Sequence, residues 1–433
     1  MQANDCSTAY SVYPTKDPIL GADFLWKIID SARQKELLDF WTSAFNTYGK
    51  TFTISSLRGS TIFTTEPENF KALYATRFDD FAVAPPRARL VPLLGTSMFV
   101  SDGTAWSHSR RIMRPIFTKD QVSDLASVEE HMQAFFKCIP VDGSTFDLQD
   151  LFHRLTMDTA TEFLFGESTQ SLSLNISEEQ KRLQRDLNLF MTDAIDRVRY
   201  MILYPFFKKK EAAEAVRNVH RTVDEYARRA FERSKKQQEA GYSDDTETSR
   251  YLFLDEIARE TGDIEKTRSE ALSLLLAGRD TTATLLSNFW FLLARSPLVW
   301  KKLMNEVDEL QGQIPTYEWL RNARYLKNCV LEAHRLYPAI PLLPPRSAVR
   351  DTVFPSGGGP DGTSPLYVAK DTKVIINIQV ACRQKDVFGD DAEAFNPDRW
   401  DNIRPGWNYI PFAGGPRICL GRKRILKLSY NLI

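Results

Sequence analysis

A chain of 433 residues with 43% hydrophobic and 12% aromatic content has ample material for a packed core, and its 26% of charged residues can solvate the outside, which excludes a disordered protein. Lysine plus arginine number 56, as do aspartate plus glutamate, so no global field would draw in nucleic acid or an anionic membrane, and neutral or local partners are expected. The five cysteines, Cys6, Cys138, Cys329, Cys382 and Cys419, are odd in number, widely spaced and without a CxxC pair, which argues against zinc or a redox disulfide and for a reducing compartment.

The start, Met1-Gln-Ala-Asn-Asp5, lacks the basic region and apolar stretch of a signal peptide. Leu, Ile and Phe at helical spacing predict helix from about Ala22 to Asn46, and alternation from Thr51 to Thr65 predicts β structure with Gly59 as a turn signal. From Thr118 to Lys236 the pattern is almost wholly helical, with Phe135/Phe136, Leu148/Leu151/Leu155 and Phe163/Leu164 recurring on apolar faces. The charge-rich stretch Lys208 to Asp263 reads as a solvated pair of helices joined by a loop. Leu272 to Ala294 comes nearest to a membrane span, but Arg279 and Asp280 interrupt it where an unpaired charge in lipid is costly, so it reads as the buried central helix of a large soluble domain. Between Pro338 and Thr372 repeated prolines and a Gly357-Gly-Gly359 turn interrupt any helix, and Lys373 to Asn377 reads as a strand. A small β-rich lobe against a helical bulk follows, with no repeat period. His108, His131, His153, His220 and His334 show no metal-binding spacing and are not taken as ligands.

The chemistry is concentrated in Phe412-Ala-Gly-Gly-Pro-Arg-Ile-Cys419-Leu-Gly421. Gly414, Gly415, Pro416 and Gly421 let the chain turn tightly and bring backbone N–H groups close to sulfur, and Arg417 adds a positive charge that lowers a thiol pKa or meets an anionic group of a ligand. The plain alternative for a lone cysteine is a buried structural residue in a turn. This stretch resembles the cysteine loop of the cytochrome P450 superfamily, Phe-x-x-Gly-x-Arg-x-Cys-x-Gly, and Phe412, Gly415, Arg417, Cys419 and Gly421 match every fixed position. The resemblance implies that the Cys419 thiolate is the proximal ligand of a haem b iron, with electron donation that favours O–O cleavage.

Inside the long apolar helix, Thr281 stands one turn after Ala277 and Gly278, two small residues that leave a groove beside its hydroxyl; the alternative is simple back-bonding of the threonine to its own helix. In the resembling family Ala277-Gly-Arg-Asp-Thr-Thr282 is the oxygen-activation motif, with Asp280 and Thr281 as the acid and alcohol that relay protons. Glu332 and Arg335, at i and i+3 on an apolar helix ending at Pro338, would be a weak pair if exposed and need further partners if buried. The family joins such a pair to a second arginine, here Arg399 in Phe395-Asn-Pro-Asp-Arg399-Trp400, where aspartate replaces the usual glutamate, and the three residues are expected to form a structural lock behind the haem. Trp106 and Arg110 share one helix face and resemble the Trp-x-x-x-Arg pair that reaches a haem propionate. Arg346 and Arg417 complete the implied cationic set, although any single arginine is more often a solvated surface residue.

The resemblance runs in motif order along nearly the whole chain, from Asp17-Pro-Ile-Leu-Gly21 through Asp102-Gly-Thr-Ala-Trp106 and Thr161-Glu-Phe-Leu-Phe-Gly166 to the cysteine loop. The nearest group in feel is that of fungal alkane and fatty-acid hydroxylases, through Leu164-Phe-Gly166, Gly357-Gly-Gly-Pro-Asp-Gly362 and Gly389-Asp-Asp391. It implies a mainly α fold with a small β lobe, the haem-thiolate fold of that family, as a single catalytic domain over residues 1–433, with haem between the Ala277–Thr282 helix and the Cys419 loop. Two departures stand out. The apolar anchor usual in members is absent, so residence on the cytoplasmic face of the endoplasmic reticulum membrane rests on resemblance alone. The chain also ends 14 residues after Cys419, with Ile425 and Leu428 where a small residue and an acid are expected, which reads as a truncated or mis-spliced C-terminus.

The expected activity is insertion of one oxygen atom from O2 into an apolar organic substrate, with electrons from NADPH through a separate flavoprotein reductase docking on the cysteine-loop side. Gly357-Gly-Gly359 is followed by prolines, not by a phosphate-binding helix, so the chain carries no dinucleotide fingerprint of its own. Apolar residues at Leu90–Leu94, Met98–Val100, Leu189–Met191, Met201–Phe207 and Ile340–Leu343 suggest an elongated greasy guest, a fatty acid or alkane. The alternatives are an oxidase of a fungal secondary metabolite, a truncated and catalytically impaired haem-binding paralogue, and a helical scaffold without cofactor. A monomer is expected, with no nucleic-acid partner.

Overall fold

The computed structural model describes residues 11–17, 19, 21–56, 59–117, 126–173, 176–200, 204–239 and 253–422. Expectations that fell on Cys6, on Pro18 and Leu20, on 118–125, 201–203 and 240–252, and on the C-terminal residues 423–433, including Ile425 and Leu428, lie outside them. The chain is mainly α-helical with a small mixed sheet. In chain order its longer helices are α1 (Ala22–Arg33), α2 (Leu37–Tyr48), α3 (Gly103–Met113), α4 (Ala126–Lys137), α5 (Leu148–Phe165), α6 (Glu178–Tyr200), α7 (Lys210–Glu239), α8 (Phe253–Thr261), α9 (Ile264–Ala294), α10 (Pro297–Val307) and α11 (Arg324–Leu336). The strands are β1 (Thr51–Ser56), β2 (Gly59–Thr64), β3 (Phe81–Ala82), β4 (Arg346–Ala348), β5 (Thr352–Gly358), β6 (Ser364–Val368) and β7 (Lys373–Ile376). No helix among the described residues is long and apolar enough to cross a membrane.

The chain packs into two compact units, one drawn from residues up to Pro86, Asn288–Glu309 and Ala323–Cys419, the other from Arg87–Ser287, Leu310–Asn322 and the residues from Leu420 on. All seven strands among the described residues belong to the first unit. Its sheet has the order β1-β2-β7-β4-β3, in which β1 and β2 form an antiparallel hairpin and β2 runs parallel to β7 with Thr61 opposite Lys373. Strands more than 300 residues apart thus share a sheet, a pairing that local alternation cannot announce. Phe52 and Phe63 stack across the hairpin, with centroids 5.3 Å apart, and Trp41 and Phe45 of α2 close over them. Each fully buried phenylalanine contributes about 1.5–3 kcal/mol, which is why α2 and the hairpin form one body. The stretch from Ala22 to Asn46, read as one helical run, is two helices: Lys35 adopts a φ of 64° and breaks the chain between them.

The glycine turn expected at 357–359 is displaced. Gly357 and Gly358 end strand β5 at an irregularity in its pairing with β6, and Gly358 stands opposite Ser364. Glycine is required there by packing: at Gly357 the φ is +110° and a Cβ would lie 2.6 Å from the Thr51 methyl, and at Gly358 it would lie 2.5 Å from the Pro365 carbonyl oxygen.

The second unit is helical, and the 264–287 part of α9 runs through it. Leu272 and Leu275 are fully buried against Phe190 and Met191 of α6, Phe253 and Leu254 of α8, and Met157 and Leu164 of α5. The charge-rich helix α7 packs through a single stripe, Ala215, Val219, Val223, Ala227 and Ala230, all essentially buried. Spaced three or four residues apart, these lie on one face, with Val216, Tyr226 and Phe231 packing partly buried beside them and Glu214, Arg217, Arg221, Glu225 and Arg228 exposed. α5 begins at an Asp147 cap, whose carboxylate accepts from the N–H groups of Gln149 and Asp150.

Candidate active site

In the first unit the cysteine loop turns through a 3-10 segment, Gly415–Arg417. Ile418 N–H donates to the Gly415 carbonyl at 3.1 Å and Cys419 N–H to the Phe412 carbonyl at 3.0 Å. These two bonds fix the backbone around a half-buried thiol that forms no disulfide. The loop sits on a π-helical turn, Ala72–Thr76. Gly415 has a φ of 61°, and a Cβ there would lie 1.7 Å from the Tyr74 carbonyl oxygen. Gly415→Ala is therefore expected to strain the left-handed backbone by about 1–2 kcal/mol and to add about 1–3 kcal/mol of overpacking; a lowered melting temperature and reduced cofactor content would be measured, and unchanged values for both would refute the fit.

The same turn meets Arg346 of β4. This buried guanidinium donates to the Leu73 carbonyl at 3.3 Å and lies over the rings of Tyr74 and Phe78, at 4.4 and 5.2 Å. Arg346 and Gly415 are thus both set against residues 73–78, a feature that no motif in the sequence marks. Arg417 is half-buried. The Phe412 ring meets the buried His334 edge to face at 5.0 Å, and burial pushes the His334 pKa down to about 4, so that ring is neutral.

The structure brings Glu332, Arg335 and Arg399 together. Glu332 and Arg335 are both fully buried, and the carboxylate accepts from Arg335 Nε and Nη2 at 2.8 Å each and from Arg399 Nε at 2.8 Å. Asn396 N–H and Trp400 Nε1 also donate to it, each at 3.0 Å. Arg335 further donates to the carbonyls of Cys382 and Ala392, and Arg399 to Phe388 and to Asp391. Asp391, Asn396 and Trp400 join the three expected residues in this network. The network extends toward the cysteine loop: the Trp400 ring packs on Tyr409, three residues before Phe412, at 4.7 Å, and the Tyr409 hydroxyl donates to the Leu331 carbonyl of α11.

In the second unit, Thr281 Oγ1 donates to the Ala277 carbonyl and Thr282 Oγ1 to that of Gly278, both at 2.7 Å. Gly278 opens onto space, since a Cβ there would meet no atom within 4 Å, although Leu275 and Ala283 on the same helix are fully buried. The Asp280 carboxylate receives Arg279 Nη1 at 2.9 Å and lies 3.6 Å from Nδ1 of His153 on α5. Arg279 is buried and anchored on the Asn188 side-chain oxygen. Trp106 and Arg110 of α3 are brought together, the guanidinium 5.9 Å from the ring centroid. Gly421 is half-buried, and Leu420 beside it packs on the apolar cluster of this unit. The residues read as substrate contacts at Leu90, Leu93, Leu94, Val100, Phe190 and Met191 are buried in that same cluster.

Each unit, taken by itself, carries a feature that fits a haem. In the first unit a half-buried thiol that forms no disulfide is held in a glycine-lined bend, with a buried cation, Arg346, packed on the turn that carries the bend. On the central helix, Ala277 and Gly278 leave an uncrowded face beside the Thr281 hydroxyl.

A family model described as Cytochrome P450 matches residues 18–423. The chain is 42% identical to cytochrome P450 monooxygenase fsdH of Fusarium heterosporum, over 97% of this chain and 75% of that protein. It is 39% identical to cytochrome P450 monooxygenase FPY7 of Fusarium mangiferae, over 100% of this chain and 83% of that protein. Identity to cytochrome P450 52A3-A of Candida maltosa is 36%, over 95% and 82%.

Proposed function

The chain belongs to the cytochrome P450 family, and from that premise we propose that it hydroxylates a long apolar molecule, a fatty acid or alkane, with Cys419 as the iron ligand. It is a haem-dependent monooxygenase, and its electrons come from NADPH through a redox partner. The observation that carries the site assignment is the Cys419 thiol, half-buried and fixed by the bond from its own N–H to Phe412. When bound, the haem supplies O2 activation and transfer of one oxygen atom to carbon.

The chain's residues divide the remaining work. Arg346, Arg417, Arg110 and Trp106 would hold the carboxylates of the cofactor, and Ala277 and Gly278 would leave room for a small ligand. The Thr281 hydroxyl hydrogen is committed to the Ala277 carbonyl, which turns the oxygen lone pairs outward as acceptors. Asp280, held by Arg279, supplies the proton that such an acceptor can hold in place. Glu332, Arg335 and Arg399 keep the cysteine loop's supporting wall rigid and take no part in the chemistry. Attachment to the cytoplasmic face of the endoplasmic reticulum membrane belongs to the same proposal, supported by the exposed Ile195, Val198, Phe206 and Phe207.

The test is spectroscopic. The reduced carbon-monoxide complex is expected to show the red-shifted thiolate band, and long-chain acids or alkanes to shift the ferric spin state. Haem with an unshifted band would leave an impaired paralogue, and a colourless protein a helical scaffold. A spin-state shift with a polyketide or terpenoid intermediate and none with the lipid panel would transfer the activity to secondary metabolism.

A further inference from the structure

His153 is not among the residues assigned to the cofactor or to proton delivery, and no spacing in the sequence marks it. It stands in the second turn of α5, with its side chain 30% exposed and directed at Asp280 of α9, 27% exposed. Nδ1 is buried, makes no hydrogen bond, and lies 3.6 Å from the nearer Asp280 oxygen. That separation is too long for a hydrogen bond and short enough for a small side-chain rotation to close. Arg279, anchored on Asn188, grips the same Asp280 oxygen at 2.9 Å. One carboxylate is therefore shared between a fixed cation and a partly solvated imidazole.

We propose that His153 acts on the reaction through Asp280, as the positioning residue that returns a proton from solvent to the Asp280 carboxylate after each delivery. The inference rests on the reading of Asp280 and Thr281 as the proton-delivering pair. In the step itself the Nδ1–H bond of the imidazolium breaks and an O–H bond forms on Asp280, leaving a neutral imidazole and a neutral carboxylic acid. Asp280 then gives up that proton toward Thr281 and is a carboxylate again, while the neutral imidazole turns so that its vacated Nδ1 meets solvent, takes up a proton there from water and turns back. No electron moves, and no reactant beyond water is required.

The charges around the ring suit this traffic. Burial pushes the His153 pKa down and Arg279 pushes it the same way, while Asp280 and the carboxylates of Asp150 and Asp147 at the start of α5 oppose them. The net effect is downward, so this histidine releases its proton more readily than a free imidazole and far more readily than an arginine locked in a pair. A proton carrier differs from a static contact in what moves, so the test reads proton movement.

Two measurements on the full haem-loaded chain decide it. Histidine-selective isotope labelling leaves five ring resonances to follow by NMR, and His153→Gln assigns the one that matters. In Asp280→Asn the His153 pKa is expected to fall by about one unit; an unchanged value would mean that the two groups do not communicate, and would overturn the proposal. The second measurement is the product formed per NADPH consumed, against pH, with hydrogen peroxide as the by-product of failed proton delivery. In the parent this ratio is expected to decline as pH rises through the histidine pKa. His153→Phe and His153→Gln should both lower it about tenfold and flatten its pH dependence, whereas a packing role would be restored by one of the two and leave the profile sloped. Parent-like coupling and pH dependence in both variants would overturn the proposal. If Asp280→Asn and Thr281→Ala still lose coupling in that case, only the role of His153 falls; if they too keep it, the underlying reading of the pair falls with it.

Discussion

Glu332→Ala is expected to cost about 3–5 kcal/mol, the range for removing one partner from a buried ion pair, and with it the protein's ability to retain haem. The carboxylate is fully buried and accepts five hydrogen bonds, three from guanidinium groups, one from the Asn396 N–H and one from the Trp400 indole. Alanine removes the only carboxylate in contact with Arg335 among the described residues and leaves that cation, also fully buried, on carbonyl oxygens alone. Arg399 keeps Asp391 and so loses less. Against a typical stability of about 5–15 kcal/mol, the loss brings the first unit near its unfolding threshold. It also frees Trp400, and with it the Tyr409 contact that ties the segment leading into the cysteine loop to α11. Urea unfolding and the haem-to-protein absorbance ratio check this. The control is Asp398→Asn: Asp398 pairs with Lys302 at half-exposed positions, and a change within about 1 kcal/mol is expected there. Equal losses in both variants would show that burial of the lock has no special consequence.

That control also explains a departure legible in the sequence. Asp398 stands where the family's segment carries glutamate, and the structure places it at the surface, paired with Lys302 and outside the hydrogen bonds made to Glu332. The lock depends on Arg399 and Trp400, which are retained. Local patterns were readable wherever neighbours in sequence are neighbours in space: the apolar spacing of α5 to α9, the alternation in β1 and β2, the Glu332–Arg335 pair one turn apart. What escaped depends on distant partners. Nothing in residues 61–64 names 373–376 as their companions, because alternating strands pair equally well with many others. The turn at 72–76 carries no motif, yet it bears both Arg346 and Gly415. Arg279 and Asp280 read as an interruption in an apolar helix until Asn188 and His153, on two other helices, give each a partner. Gly357 and Gly358 suggested a turn because glycine is common in turns, whereas these two are selected by the closeness of Thr51 and Pro365.

Cys419→Ser is expected to abolish the thiolate-type spectrum and turnover while leaving the fold intact. The bonds that shape the loop, Ile418 N–H to Gly415 and Cys419 N–H to Phe412, are backbone bonds, and Gly415 fits Tyr74 whatever the side chain at 419. Serine changes one atom, so thermal unfolding without cofactor should move by less than about 1 kcal/mol. The hydroxyl stays protonated where a thiol ionises, and an alcohol cannot supply the charge that a thiolate donates to iron. No other thiol in the described residues is placed to substitute. Burial pushes the Cys382 thiol up to about 12 and raises Cys329 and Cys138 as well, which keeps all three protonated at neutral pH. Ligation thus depends on a side chain whose removal the loop can tolerate, so the spectrum and the melting curve should separate cleanly in this one variant. A serine protein with the parent's thiolate band and turnover would mean that iron is held elsewhere, and the roles given to Phe412, Arg417 and the glycines around them would have no remaining basis.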